Sequence, residues 1–213
     1  MEGIVCEHEI RQAAKRSANL ARPPSMNIWR HFVRQGRKEY STSARLAAMA
    51  CESLVFVLGI PALLFWLAAT GSERWRFTLP PVLSAVCVVL AALGLLFALW
   101  TVWAQFRHAR GTPVPIMATQ KLLAGGPYSF CRNPMALGTL VFYFNTAFFA
   151  SSFRPVLVVL IFALCLIAYI KLVEEKELSL RFGDEYSHYK QSTPFIIPRL
   201  SSFRRQGGGG AGP

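Results

Sequence analysis

Residues 125–138 read GGPYSFCRNPMALG, and this stretch stands between two long apolar runs. The glycines and Pro127 predict a turn. Asn133 followed by Pro134 predicts the start of a helix, because proline is favoured at the first helical position and asparagine at the residue before it. The free N–H groups of that first turn, with Arg132 beside them, would stabilise an anionic group of a ligand. The candidate site is therefore a loop that leads into a membrane helix.

The composition indicates an integral membrane protein. Of the 213 residues, 53% are hydrophobic and only 16% are charged, which is unusual for a soluble domain. Lys and Arg outnumber Asp and Glu by 23 to 11. In so apolar a chain, membrane topology explains this excess, so nucleic-acid binding is not expected. The five cysteines and four histidines show no disulfide or zinc-ligand spacing, and no metal site is expected.

The fold class predicted is an all-α membrane protein with four transmembrane helices and a cytosolic C-terminal helical extension. The four apolar segments are residues 46–70, 79–106, 134–151 and 155–173. In the first segment Pro61 predicts a kink, and Glu52 is interpreted as a side chain that snorkels to the interface. Beyond the last segment, a polar sequence predicts helices outside the bilayer, with Gly183 ending one helix and Asp184 beginning another.

The distribution of positive charge predicts the orientation. Of the 23 Lys and Arg residues, 20 lie in the N-terminal tail, the long loop before Pro134 and the C-terminal region, and three lie in the two short loops. Because Lys and Arg concentrate on the cytosolic side, both termini and the site loop are predicted to be cytosolic. The membrane would be the endoplasmic reticulum or a bacterial inner membrane.

Three regions are predicted along the chain. Residues 1–45 form a basic cytosolic tail that lies against anionic lipid, or alternatively an organelle targeting segment. Residues 46–199 form the membrane domain, and residues 200–213 a disordered tail.

An antiparallel hairpin of the third and fourth spans would bring two acidic residues to the site loop. The end of the fourth span returns to the level where the third begins, so Glu174 and Glu175 are expected close to Arg132 and Asn133. Such an arrangement matches a ligand that carries both charges. The alternative is that these are interfacial charges that end the helices at the water boundary, with Lys171 and Glu175 paired four residues apart.

Two linked motifs carry a resemblance to a known family. GPYSFCRNPMALG at residues 126–138, followed by EEKELSLRFGDEYSHYKQSTPFIIPR at residues 174–199, resembles the isoprenylcysteine carboxyl methyltransferase and phospholipid methyltransferase family. That family of integral membrane enzymes carries Gly-x-Tyr, then Arg-His-Pro or Arg-Asn-Pro, a glutamate pair, and Phe-Gly-x-Glu-Tyr-x-x-Tyr. The resemblance covers about residues 112–199.

The resemblance implies an S-adenosylmethionine-dependent methyltransferase that acts on a lipophilic acceptor, an isoprenylcysteine carboxylate or a related lipid, thiol or amine. It assigns catalytic roles to Arg132 and Glu174. The residues implied for the S-adenosylmethionine site are Gln120, Lys121, Leu122, Leu123, Tyr128, Asn133, Pro134, Ala136, Glu174 and Glu175. Asn133 replaces the common histidine and Ala136 a frequent tyrosine, and both departures bear on the acceptor more than on the cofactor.

Two other classes remain open. A membrane reductase related to sterol reductases would bind NADPH, although such proteins have more spans than this chain. A non-catalytic membrane scaffold would use the loop only to begin a helix, with Tyr128 as an interfacial aromatic anchor and Asn133 as a cap. Binding of S-adenosylmethionine, of NADPH or of neither separates the three classes.

Overall fold

The computed structural model describes residues 41–109 and 121–198 of the chain. These two ranges are helical and contain no strand, so the predicted all-α class is confirmed for them. The predicted N-terminal tail lies outside the described residues up to residue 40, and the predicted disordered tail lies outside them entirely.

Three described helices are long and apolar enough to cross a membrane: Leu46–Ala69, Pro81–His108 and Phe153–Phe182. A further apolar helix, Pro134–Phe149, has 16 residues. At the usual rise it extends about 24 Å, less than the roughly 30 Å of a hydrocarbon core. The chain is therefore a membrane protein with three helices of spanning length. The fourth span and the cytosolic orientation stay predictions.

Helix α1 comprises Thr42–Ser53, a π-helical stretch Leu54–Gly59, and Ile60–Ala69. The π-helical stretch directly precedes Pro61. Because proline lacks an N–H and its ring crowds the carbonyl four residues earlier, a regular α-helix cannot continue undisturbed through this point. The distortion predicted at Pro61 takes the form of this wider turn.

Helices α2 and α3 approach each other to backbone contact. Helix α2 comprises Pro81–Ala104 and the π-helical Gln105–Ala109, and α3 is Pro134–Phe149. Gly94 of α2 and Gly138 of α3 face each other where the two helices cross.

This crossing leaves no space for a side chain at either glycine. A Cβ placed on Gly94 would lie 2.7 Å from the backbone N of Phe142, and one placed on Gly138 would lie 2.7 Å from the backbone N of Ala98. Small residues let membrane helices approach to backbone contact in this way. The crossing therefore fixes the position of α3, and of the loop that precedes it, against α2.

Helix α4 comprises Phe153–Tyr169, a π-helical stretch Ile170–Glu174, and Glu175–Phe182. It begins two residues earlier than predicted, and Pro155 lies in its first turn, where a missing N–H costs no helical hydrogen bond. The helix does not end at the acidic pair but continues beyond it, so the pair stands within one long helix.

Helix α5, Asp184–Ser192, follows α4 after a single residue, Gly183, whose φ is 54°. Glycine adopts this positive φ without the steric cost that a Cβ would add. The helix break predicted at Gly183 and the helix start predicted at Asp184 are confirmed.

A small hydrophobic cluster joins α1, α3 and α4. Leu64, Tyr143, Ala147 and Val159 are buried together. The Tyr143 hydroxyl donates to the backbone O of Phe56, at 2.8 Å, in the π-helical stretch of α1. The two short loops meet at the end of α3 remote from the site loop, where the N–H of Phe77 donates to the O of Ser151 at 3.1 Å.

We expect Gly138→Ala to destabilise the fold, because the added methyl group would overlap the backbone of α2. The loss should be about 1–3 kcal/mol, the usual cost of overpacking, and a lower melting temperature in detergent would report it. Gly59→Ala is the matched control, since a Cβ there meets only the O of Leu54 at 3.8 Å. Equal melting of the Gly138→Ala variant and the unchanged protein would contradict the close crossing.

Candidate functional site

The site loop, residues 125–133, is a short 3₁₀ turn followed by an extended approach to α3. The turn is Gly126–Ser129, and Gly126 has a φ of 61°, which favours glycine. The O of Asn133 accepts the first helical hydrogen bond, from the N–H of Leu137 at 3.1 Å. The predicted start of a helix at Pro134 is confirmed.

The Asn133 side chain does not cap this helix, contrary to the prediction from sequence. No side-chain hydrogen bond closes the first turn of α3. The amide Nδ2 donates instead to the backbone O of Phe195, at 2.9 Å. Asn133 therefore connects the site loop to the C-terminal end of the described chain.

Arg132 is almost wholly buried, with 9% of its side chain exposed. Its Nη2 donates to Oε1 of Glu175 at 2.7 Å, and its Nη1 donates to the backbone O of Lys190 at 2.8 Å and of Thr193 at 3.3 Å. The buried Nε has no hydrogen-bond partner among residues 41–109 and 121–198. Two of the three guanidinium nitrogens therefore hold the protein together, and the third remains available.

The two glutamates of the predicted pair have different environments. Both oxygens of Glu175 are engaged, Oε1 by Arg132 and Oε2 by the Nζ of Lys190, each at 2.7 Å. The alternative pairing of Lys171 with Glu175 is wrong, since the Lys171 ammonium lies 5.0 Å from the centre of the Phe195 ring.

Glu174 lies at the end of the π-helical stretch of α4, and its side chain has a different direction from that of Glu175. Adjacent positions on a helix differ by about 100° in direction, so two neighbouring side chains cannot share one partner set. Within the described part of the chain, no salt bridge holds Glu174. Its carboxylate borders two cavities instead.

The larger cavity has a volume of about 330 Å³ and lies among α1, α2, α3 and α4. The smaller, about 60 Å³, lies between the site loop, α4 and α5. A common wall borders both cavities, and its residues are Gln105, Tyr128, Arg132, Asn133, Glu174 and Leu178. The site thus has a largely apolar compartment and a more polar one, with shared residues between them.

Most of the site residues predicted from sequence lie around these cavities. Tyr128, Arg132, Asn133 and Glu174 belong to the common wall, and Pro134 and Ala136 border the larger cavity alone. The smaller cavity also takes in Lys121, Leu122 and Leu123. Glu175 borders neither cavity, because its carboxylate is turned toward Arg132 and Lys190. Gln120 lies outside the described residues.

Sequence reasoning missed Gln105, which lies at the start of the π-helical end of α2. The amide Nε2 of Gln105 donates to the Tyr128 hydroxyl. The buried Oε1 has no hydrogen-bond partner in the described part of the chain. A polar amide inside an otherwise apolar span was the signal that could have identified this residue.

Three charged residues of the larger cavity were also missed as site residues: Glu52, Glu177 and Arg181. Glu177 and Arg181 form a buried ion pair at 3.1 Å, with 10% and 9% of their side chains exposed. Both carboxylate oxygens of Glu52 are buried, so its interpretation as a snorkelling side chain is wrong. Glu177 and Arg181 lie in the polar stretch after the predicted fourth span, where charged side chains are usually exposed. Glu52 lies near one end of the first apolar segment, where charged side chains often snorkel.

Burial keeps two tyrosine hydroxyls and one cysteine thiol of the site in their neutral forms. It raises the pKa of the Tyr128 and Tyr189 hydroxyls and the pKa of the Cys131 thiol to about 11, because the charged forms would lose their hydration. The Tyr189 hydroxyl donates to the backbone O of Tyr128 at 2.7 Å. The tyrosines therefore act here as hydrogen-bonding groups, and Cys131 is a thiol rather than a thiolate.

The two glutamates should respond differently to amide substitution. Glu175→Gln removes a charge that two cations share, and we expect a loss of about 1.5–3 kcal/mol, the usual worth of a charged hydrogen bond. Glu174→Gln should change the free energy of unfolding by less than about 0.5 kcal/mol, since no salt bridge among the described residues depends on Glu174. Thermal unfolding of both variants in the same detergent measures the contrast. Equal destabilisation would show that the pair acts as one structural unit.

Comparison with known proteins agrees with the family predicted above. Residues 82–185 match the model of the phospholipid methyltransferase family. The chain is 27% identical over 187 residues to methanethiol S-methyltransferase 2 of Bradyrhizobium diazoefficiens, covering 76% of this chain and 65% of that protein. It is 30% identical over 142 residues to the nickel-cobalt-cadmium resistance protein NccN of Alcaligenes xylosoxydans xylosoxydans, covering 64% and 60%.

The chain therefore spans less than two thirds of the length of these two relatives. The family match begins in α2 and ends in α5, so it includes the site loop, the glutamate pair and all six residues of the common wall. Over residues 82–185 the chain is therefore similar to the phospholipid methyltransferase family.

Proposed function

We propose that this chain is an integral membrane methyltransferase that uses S-adenosylmethionine to methylate a lipophilic acceptor. The observation that carries the proposal is the common wall between an apolar cavity and a polar one. A transfer between two ligands of unlike polarity needs two adjoining compartments, so that the reacting atoms meet at the boundary. The family match and the methyltransferase named among the relatives support the same reaction class.

The polar groups of the common wall suit the cofactor. S-adenosylmethionine carries an ammonium, a carboxylate and a positively charged sulfur. Glu174 would face one of the positive groups. The Nε–H of Arg132 and the Oε1 of Gln105, which have no hydrogen-bond partner among the described residues, would donate to a carboxylate oxygen and accept a hydrogen bond. The smaller cavity, about 60 Å³, is below the roughly 300–1,000 Å³ of typical ligand sites. The cofactor would therefore extend from the smaller cavity, along the residues of the common wall, into the adjoining end of the larger cavity.

The depth of the larger cavity suits a chain-bearing acceptor. Its lining extends along α2 from Gln105 to Leu95 and along α4 from Glu174 to Phe162. At the usual rise per residue these distances are about 15 Å and 18 Å, roughly half of a 30 Å hydrocarbon core. A hydrocarbon chain of about one leaflet in length could therefore lie between the helices, with its polar end beside Glu174.

The reaction requires positioning more than acid or base catalysis. The cofactor would supply a methyl group on sulfur, and the acceptor's lone pair forms the new bond while the carbon–sulfur bond breaks and its electron pair stays on sulfur. Glu174 and Arg132 would orient the reacting partners, and the apolar lining would exclude water. A carboxylate or thiolate acceptor needs no base.

The acceptor that we propose is an isoprenylcysteine carboxylate or a related lipid, thiol or amine. The relative named for methanethiol shows that a sulfur acceptor is compatible with a related sequence. The depth of the larger cavity favours acceptors with a long apolar chain over small thiols. Such an acceptor would enter sideways from the bilayer, between the helices. The charge bias of the loops favours a cytosolic site loop, where the cofactor is available.

Ligand-dependent melting tests the cofactor. We expect S-adenosylhomocysteine to raise the melting temperature of the detergent-purified protein, because a ligand that binds only the folded state stabilises it. NADPH, the cofactor of the reductase alternative, should have no effect. Glu174→Gln should weaken S-adenosylhomocysteine binding roughly ten- to a hundredfold, as expected for a lost charged hydrogen bond. Stabilisation by NADPH alone would favour a reductase, and stabilisation by neither ligand would favour a scaffold.

A blocked cavity tests the acceptor. Leu95→Trp would fill the deep end of the larger cavity, so we expect the KM for long-chain acceptors to rise about tenfold or more, as for an overpacked site. Short-chain acceptors of the same chemistry should be spared. Leu96→Trp is the matched control, because Leu96 is 63% exposed on the outside of α2. Equal effects on long and short acceptors would contradict binding of the chain in this cavity.

A further inference from the structure

The C-terminal segment, residues 189–195, is hydrogen-bonded to three residues of the site loop, Tyr128, Arg132 and Asn133. The Tyr189 hydroxyl donates to the O of Tyr128 at 2.7 Å. The N–H of Arg132 donates to the O of Pro194 at 2.9 Å. The Asn133 amide donates to the O of Phe195 at 2.9 Å. Each loop residue in these bonds also borders both cavities.

Two cations, one on the site loop and one on α4, lie near the Phe195 end of this segment. The Phe195 ring has the Arg132 guanidinium 5.8 Å and the Lys171 ammonium 5.0 Å from its centre. Cations at such distances from an aromatic face are attracted by the ring quadrupole. The other end of the segment is held as well, since Lys190 pairs with Glu175 at 2.7 Å.

We propose that residues 189–195 form a C-terminal latch that holds the site loop where its side chains face the smaller cavity. The loop has no regular secondary structure between its 3₁₀ turn and α3. Its position therefore depends on contacts with distant segments of the same chain, and residues 189–195 supply several of them. The latch residues Tyr189 and Phe195 are positioning residues, which act through Tyr128, Arg132 and Asn133. The consequence for cofactor affinity rests on the proposed function, whereas the position of the loop does not.

The contacts themselves indicate positioning rather than general packing. They are directional hydrogen bonds: backbone carbonyls of Pro194 and Phe195 accept from Arg132 and Asn133, and the Tyr189 hydroxyl donates to the backbone O of Tyr128. Loss of the latch should therefore loosen the loop and leave the crossing of Gly94 with Gly138 intact. A purely structural segment would instead transmit its loss to the helices.

Hydrogen–deuterium exchange of the full chain in detergent tests the latch directly. In Phe195→Ala and in Tyr189→Phe, the amides of residues 128–133 should exchange faster than in the unchanged protein, while those around Gly94 stay protected. S-adenosylhomocysteine affinity should fall about two- to tenfold in Tyr189→Phe, the range for one ordinary hydrogen bond. Phe195→Ala should weaken binding by a similar factor, because the cation–π contacts of the ring are lost. Phe195→Tyr keeps the ring and should restore both properties. Ile197→Ala, at a position that is 76% exposed, is the silent control.

The outcomes separate the latch from the proposed function. Unchanged exchange of residues 128–133 in both variants would overturn the latch, and so would an equal increase across α2 and α3. Failure of Phe195→Tyr to restore protection would overturn the role of the ring. If the unchanged protein binds no S-adenosylhomocysteine, the proposed function fails. The exchange data alone would then decide whether the loop is held by the latch.

Discussion

The site depends on the two ion pairs that the carboxylate of Glu175 forms. Glu175 lies inside α4 with 11% of its side chain exposed, and it joins Arg132 of the loop to Lys190 of α5. A buried charge is costly unless opposite charges and hydrogen bonds compensate it. Here both oxygens are compensated, so three separate parts of the chain must meet at this helix. The loop, α4 and α5 therefore share one charged centre.

Distorted helix turns direct polar side chains toward the common wall. Helix α2 becomes π-helical from Gln105, and α4 is π-helical over Ile170–Glu174. A π-helical turn contains an extra residue and rotates the side chains that follow, and such turns are frequent at functional sites. Gln105 and Glu174 both border the two cavities. The distortions thus place an amide and a carboxylate where regular apolar helices would offer no polar group.

The two cavities of the site differ in polarity. The larger cavity is bounded by helices that are long and apolar enough to cross a membrane, and the smaller one by a polar loop and a polar helix. The close crossing of Gly94 and Gly138 keeps α3 against α2, so the loop at the start of α3 stays beside the end of α2. The common wall therefore lies between a largely apolar cavity and a more polar one.

Local sequence rules determined the helical elements, and tertiary contacts decided the roles of the side chains. The helix start at Pro134, the break at Gly183 and the approach of the acidic pair to Arg132 follow from residues a few positions apart and from the hairpin. Sequence could not tell which glutamate faces the cavity, because that depends on a π-helical turn and on Lys190. Nor could it assign Asn133 to Phe195, a partner 62 residues away. Helix propensity and capping act within one turn of the chain, whereas hydrogen-bond partners are chosen among groups that only the packed helices bring together.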